Sequence, residues 1–228
     1  MTAPAALPRQ LTVDVWSDIA CPFCWIGEHR LAAALAGLAA EWPEVAVARR
    51  WRPFQLQPTL PKPGVPWAEF ARAKFGGEAG MAAAFAHVAR MGAEDGLEYR
   101  FDRIAAAPNT ADAHRLVLHA QAADTAGAAA QRLTEALFRA YFHEGRHVGE
   151  HAVLLDAAAA VGLDATEAAR VLDSDRYAAE VAESQHEAAR LGIRGVPFVV
   201  LGGRYAVSGA QPADVFARAL AAALDSAG

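Results

Sequence analysis

Apolar and polar residues alternate from Leu11 to Trp16, the two-residue period of a strand. From Pro22 to about Ala40 the period is helical, and proline suits a first helical turn, where its missing N–H leaves nothing unpaired. Trp42-Pro43 ends that helix and Val45 to Trp51 reads as a second strand, so the chain opens with a βαβ unit. Pro53 to Pro66 is proline-rich and reads as a long, stiff connection. Strand signals then almost vanish. Helical patterns cover Pro66 to Phe75, Glu78 to Gly92, Thr110 to Thr125, Gln131 to His143 and Glu150 to Val161. In the fourth of these, Leu133, Ala136, Leu137, Ala140 and Tyr141 form the stripe of a buried face. Asp164 and Glu167 are spaced as a capping box, and Ser174 is placed to cap a helix running to Leu191 and closed by Gly192. Strands return at Pro197 to Leu201 and Arg204 to Val207, joined by Gly202-Gly203 as a hairpin. Pro212 to Leu224 is a last amphipathic helix. Neither flank of the helical block completes a sheet alone, so the block reads as an insertion into one α/β unit.

Composition narrows the class. Of 228 residues 54% are hydrophobic and 21% charged, enough for a packed core and contrary to general disorder. A net charge of −5 gives no electrostatic reason to expect nucleic acid or an anionic membrane as partner. The apolar runs are short and broken by charge, and Met1 to Gln10 lacks a basic stretch followed by an apolar one. The expected location is therefore cytoplasmic, with no membrane partner. Two cysteines are too few for a disulfide-stapled scaffold, and a bridge between Cys21 and Cys24 would close too small a loop to constrain the unfolded chain.

The pair is better explained by chemistry. Cys21-Pro22-Phe23-Cys24 follows a strand and opens a helix. Unpaired N–H groups and the dipole at a helix start favour a thiolate at Cys21. Cys24, one turn inside, is shielded yet near enough to attack a mixed disulfide on Cys21. These roles require an exposed Cys21 and a covered Cys24. The competing readings are two small buried apolar residues, or half of a zinc site; no second cysteine pair completes one, and no metal is expected. A second signal is Gly195-Val196-Pro197-Phe198, where a proline opening a strand can be cis, although an ordinary strand start is the commoner case.

The ordered set of motifs resembles the thioredoxin superfamily, and within it the DsbA-type oxidoreductases with a helical insertion, most closely the FrnE-like group. The matching stretches are Ser17-Asp18 before Cys21 to Gly27, Phe54-Gln55-Leu56 with Pro58, and Asn109-Thr110 with Ala113-His114-Arg115. Glu135 to Phe142, Gly195 to Phe198 and Ser208 to Pro212 complete the set. The resemblance implies a thioredoxin-like mixed sheet of four or five strands from residues 11–60 and 175–224, with an all-helical insertion over 61–174. It implies that Cys21 is the nucleophile, Cys24 the resolving thiol, and Pro197 a cis-proline beside them. The Val196 backbone would pair with substrate, and Phe23 and Trp25 would contact it. DsbA carries histidine where this chain has Phe23, which implies a weaker oxidant. The buried acid of DsbA is replaced by Val15. Asp18, or less well Asp14, is the substitute, although capping the loop is Asp18's simpler role.

Other candidates carry less. His143, His147 and His151 are spaced for one helix face, but Gly145 and Gly149 interrupt it, leaving a solvated turn. Glu28 and His29 read as surface residues, and Arg49-Arg50 with Arg52 as a solvated strand edge. Trp25, Phe54 and Phe198 either line an apolar groove at the thiols or simply pack the core. The expected activity is thiol–disulfide exchange of reductase or isomerase type on thiol- or disulfide-containing proteins or small molecules. Glutathione is the candidate electron partner, and no cofactor is expected beyond the Cys21–Cys24 pair. Two alternatives remain. One is a glutathione-dependent isomerase or transferase, similar to the 2-hydroxychromene-2-carboxylate isomerases and kappa-class transferases, which use serine at the Cys21 position. The other is a non-enzymatic metal- or partner-binding module.

Overall fold

A computed structural model describes residues 10–124 and 126–226. The strand–helix–strand opening consists of β1 (Gln10–Ser17), α1 (Pro22–Glu41) and β2 (Ala46–Pro53). A short β3 (Val65–Pro66) leads into α2 (Trp67–Phe75) and α3 (Glu78–Glu94), and β4 (Ala106–Ala107) precedes α4 (Ala111–Ala123). Then follow α5 (Ala128–Phe142), α6 (His151–Ala160), α7 (Ala165–Leu172) and α8 (Ala178–Arg190). The chain closes with β5 (Phe198–Leu201), β6 (Tyr205–Ser208) and α9 (Ala213–Asp225). Thr125, the end of the helical pattern that starts at Thr110, and residues 1–9, 227 and 228 lie outside the described residues.

The main sheet has four strands in the order β2-β1-β5-β6. β1 runs parallel to β2, with Leu11 opposite Val47, and antiparallel to β5, with Val15 opposite Val199. The sheet is therefore mixed. β3 and β4 form a separate two-stranded ladder that the sequence pattern does not reveal, because two residues cannot display an alternation. The β5–β6 turn is carried by Gly202 (φ 58°) and Gly203 (φ 69°), the left-handed pair that matches the twist of a hairpin.

The alternation in β1 divides the core. Leu11, Val13 and Val15 join Leu31, Ala34 and Leu38 of α1 and Phe216, Leu220 and Leu224 of α9 on one face. On the other face Trp16 packs with Phe54, Ala188 of α8 and Ile193. The largest cluster is continuous from Ile19, Cys21, Cys24 and Trp25 into the helical block, through Leu116, Leu133, Leu137, Phe138 and Phe142. Full burial of each such side chain contributes about 1.5–3 kcal/mol. No described helix is long and apolar enough to cross a membrane.

Two sequence expectations are corrected. Ser174 does not cap the helix ending near Leu191; that helix starts at Ala178 behind Tyr177, which has φ 66°. The Ser174 hydroxyl instead donates to Arg170 O at 2.7 Å and so closes α7. The capping box at Asp164 is half formed: its carboxylate accepts from Glu167 N at 2.9 Å, while the Glu167 carboxylate bonds Arg170 instead.

The approach of α1 to the β5 segment depends on a missing side chain. A Cβ on Gly27 would stand 2.8 Å from Pro197 Cγ and 3.2 Å from its Cβ, against a ring that cannot swing aside. Gly37, in the same helix, has nothing within 4 Å. Gly27→Ala is expected to cost about 1–3 kcal/mol through overpacking, whereas Gly37→Ala is expected to stabilise by up to about 1 kcal/mol through helix propensity. Urea unfolding of both variants checks this pair; equal effects would contradict the contact.

Candidate active site

Cys21 is the N-cap of α1 (φ −98°, ψ 111°), with Pro22 in the first turn and no acidic residue there. Its amide donates to Asp18 O and its side chain makes no capping hydrogen bond, while Cys24 N donates to Cys21 O, both backbone bonds being 3.0 Å. Both cysteines are free thiols. Cys24 is wholly buried. Burial pushes its thiol well above the usual value, and the hydrogen bond and charge of Cys21 add to the effect. Ser17 and the Asp18 backbone act in the opposite direction.

The exposure expected of Cys21 is corrected: it is only 4% exposed. The cause is the segment before β5. The Val196–Pro197 peptide bond is cis, Pro197 is buried, and Cys21 Sγ donates to Val196 O at 3.5 Å. Gly209 N, at the end of β6, donates to Pro197 O at 2.8 Å and ties this segment to the hairpin. Cys21, Cys24, Val196 and Pro197 are thus brought together from opposite ends of the chain.

The two acid candidates separate. Asp14 is committed to the sheet edge, where Arg50 Nη2 and Arg52 Nε each donate to its carboxylate at 2.8 Å. Asp18 is 1% exposed and turns inward. Its carboxylate accepts from Leu56 N at 2.7 Å and Ala20 N at 3.3 Å, so it does hold the loop. It also faces His114 Nε2 at 3.3 Å. His114 is fully buried, and its Nδ1 accepts from Trp51 Nε1 at 3.1 Å, which leaves the proton on Nε2. In the sequence His114 belongs to the Asn109-Thr110 motif, and nothing in its spacing signals a meeting with Asp18. Asp18 and burial together raise the Tyr141 hydroxyl, burial being the larger cause.

The solvated readings of Glu28 and Arg49 are also corrected. Both are buried and form an ion pair, and burial lowers the Arg49 guanidinium to about 10. Such a pairing joins α1 to β2 and has no sequence-local trace. His29 is half-buried, and the hydrogen bond it donates to the Glu135 carboxylate raises it above the usual imidazole value despite burial. Glu135 also accepts from Trp25 Nε1 at 3.0 Å. Trp25 is itself buried, edge-on to Tyr99 and stacked near Phe142, so it forms the wall behind the thiols rather than an open groove. Phe54 and Phe198 pack with Trp16 on the far face of the sheet. The histidines of the interrupted stretch take separate partners: His143 at Glu98 O, His147 at Pro63 O and His151 at Asp112. No group of three metal-ligating residues occurs among the described residues.

Pro22 and Phe23, the residues between the thiols, form part of the wall of an apolar cavity of about 140 Å³. The rest is drawn from the helical block, including Trp67, Phe70 and Phe85. Phe23 also lies 6.1 Å from the His87 ring.

The model of the DSBA-like thioredoxin domain matches residues 12–221. The chain belongs to this family. Among solved structures, this DSBA-like domain is similar to a probable DsbA oxidoreductase from Streptomyces coelicolor, with 38% identity, 94% and 90% of the two chains covered, and a TM-score of 0.82. It is also similar to the cytosolic disulfide reductase DsbM from Pseudomonas aeruginosa, solved with GSH, at 25% identity, 94% and 99% coverage and a TM-score of 0.62. The uncharacterised protein YwbO of Bacillus subtilis is 24% identical over 209 residues, 91% of this chain and 94% of that one. The mixed four-stranded sheet and the helices around it match the thioredoxin-type fold of this family.

The raised Cys24 thiol has a consequence for stability. An acid whose folded value lies above its unfolded value, about 8.5 for a free thiol, keeps its full contribution below that pH and loses it as pH rises toward the folded value. The reduced DSBA-like domain is expected to lose stability above about pH 8.5, and Cys24→Ala to lose less. Tyr99, held protonated by burial and next by the charge of Cys21, adds a further loss at higher pH in both proteins. Urea unfolding of reduced protein between neutral and alkaline pH checks this; parallel curves would contradict it.

Proposed function

We propose that this DSBA-like domain is a thiol–disulfide oxidoreductase acting through Cys21 and Cys24. The observation that carries the reading is the placement of Cys21 at the start of α1 with its sulfur on Val196 O and Pro197 alongside. A helix start lowers the cost of negative charge on a sulfur there. Cys21 attacks a substrate disulfide, one substrate thiol leaves, and the mixed disulfide is released when Cys24 attacks the Cys21 sulfur. The substrate then carries both electrons as thiols and the protein carries the Cys21–Cys24 disulfide. The segment before Pro197 offers backbone to an extended substrate, which displaces the Cys21 thiol from Val196 O. Phe23, at the mouth between the thiols and the cavity, contacts the substrate; the buried Trp25 supports the helix start.

In a cytoplasm the glutathione poise keeps such a pair largely reduced, and a reduced pair works as a reductase or isomerase. Glutathione is the electron partner this reading favours, supported by the likeness to a disulfide reductase solved with GSH. The substrates are proteins or small molecules carrying a disulfide.

Cys24→Ser is expected to accumulate reductant-sensitive adducts on non-reducing gels of cell extract, because the release step is missing. Cys21→Ser is expected to form none. Adducts from neither variant, or more from Cys21→Ser, would overturn the assignment.

A further inference from the structure

The cavity beside the CPFC turn has walls but no occupant among the protein's own side chains. Its aromatic members Trp67, Phe70, Phe75 and Phe85 are each only half-buried while facing it. They form a ladder: Phe85 stacks at 5.6 Å on Trp67 and at 4.3 Å on Phe101, and meets Phe75 edge-on at 5.5 Å. These rings leave about 140 Å³ between them and the Pro22-Phe23 pair. An engineered apolar cavity of about 150 Å³ stays dry and takes up benzene, because apolar walls offer water too few hydrogen bonds. The volume and the lining thus suit one ring.

The polar residues fix which way such a ligand points. Among the lining residues Asp18 is buried, its carboxylate accepting from Leu56 N and Ala20 N and lying 3.3 Å from His114 Nε2. A second anion is unwelcome there. The exposed lining residues are Lys74 and His87. Lys74 Nζ lies 5.4 Å over the Phe70 ring and 6.0 Å over that of Phe75, and among the described residues it pairs with no carboxylate.

We propose that this cavity binds a small carboxylate bearing a single ring, with the ring against Phe85 and Trp67 and the carboxylate at Lys74. As the pocket that selects substrates for the thiols, it rests on the reading given above; as a binding site it stands without the thiols. The ring would lie against Phe23, so a disulfide carried on the same molecule would be delivered to the turn that bears Cys21.

The probe is 3-phenylpropanoate, titrated into the full chain while the Trp67 indole N–H is followed by NMR, with Trp67→Phe for assignment. Trp42, at the end of α1 and away from the cavity, is the control. A saturable shift confined to Trp67 is expected, with Kd of about 0.1–1 mM. The uncharged 3-phenylpropanamide, which stands for a ring presented by a peptide, is expected to bind about three- to fivefold more weakly, and Lys74→Met to remove that difference. Ala84→Phe, on the cavity wall, is expected to weaken binding at least about tenfold. No saturable shift up to about 10 mM, equal shifts at Trp42, or an amide bound as tightly as the carboxylate would overturn the proposal. Should Ala84→Phe fail to fold, the amide comparison and Lys74→Met, at an exposed position, decide it alone. Cys21→Ser should retain the wild-type Kd. In the wild-type protein, binding with no thiol exchange would overturn the oxidoreductase reading and leave the pocket standing; exchange with no binding would do the reverse.

Discussion

The structure depends on one junction: the start of α1 against the segment that enters β5. Cys21 Sγ meets Val196 O across 175 positions of chain, and Gly27, six residues further along α1, lies against the Pro197 ring. Neither half of this junction forms locally. It exists only when β5 has paired antiparallel to β1, and that pairing brings the end of the chain back onto its beginning. The helices between them are obliged to fold over the thiols, which explains why the largest core cluster runs unbroken from Cys21 and Cys24 into α4, α5 and α6.

That arrangement divides the labour between two sulfurs of the same type. Cys24 lies inside the core, where desolvation holds its proton and where the Cys21 sulfur is its neighbour. Cys21 stands at the positive end of the helix, with its sulfur on the Val196 carbonyl. Buried polar groups hold this geometry from beneath. Asp18 ties the loop before Cys21 to Leu56, and His114 and Trp51 continue the chain of contacts into the helical block. On the other side Tyr99 holds Pro22 O, and the Glu28–Arg49 pair pins α1 to β2.

Much of this was legible in the sequence wherever the signal was local. The period-two run gave β1, the proline after Cys21 gave the start of α1, and Gly202-Gly203 gave the hairpin with both residues at positive φ. The thiol pair and Pro197 were legible as motifs. What was not legible is whatever a residue acquires from a distant partner. Arg49 and Glu28 look like surface charges until the sheet and helix bury them together, and Asp18 looks like a loop cap until His114 arrives beside it. Ser174 carries a helix-start signal, yet its hydroxyl serves the end of the preceding helix. The cover over Cys21 has the same origin, since Val196 is remote in sequence and adjacent in space.

The division between the two thiols is tested most directly by limited alkylation. Reduced protein is treated briefly with iodoacetamide at neutral pH, quenched and digested, and the label on each cysteine is measured by mass spectrometry. The expected result is label on Cys21 while Cys24 remains free, with Cys24 labelled only after unfolding. Equal labelling of both thiols in the folded protein, or faster labelling of Cys24, would contradict the assignment of Cys21 as the reactive sulfur and Cys24 as the enclosed one.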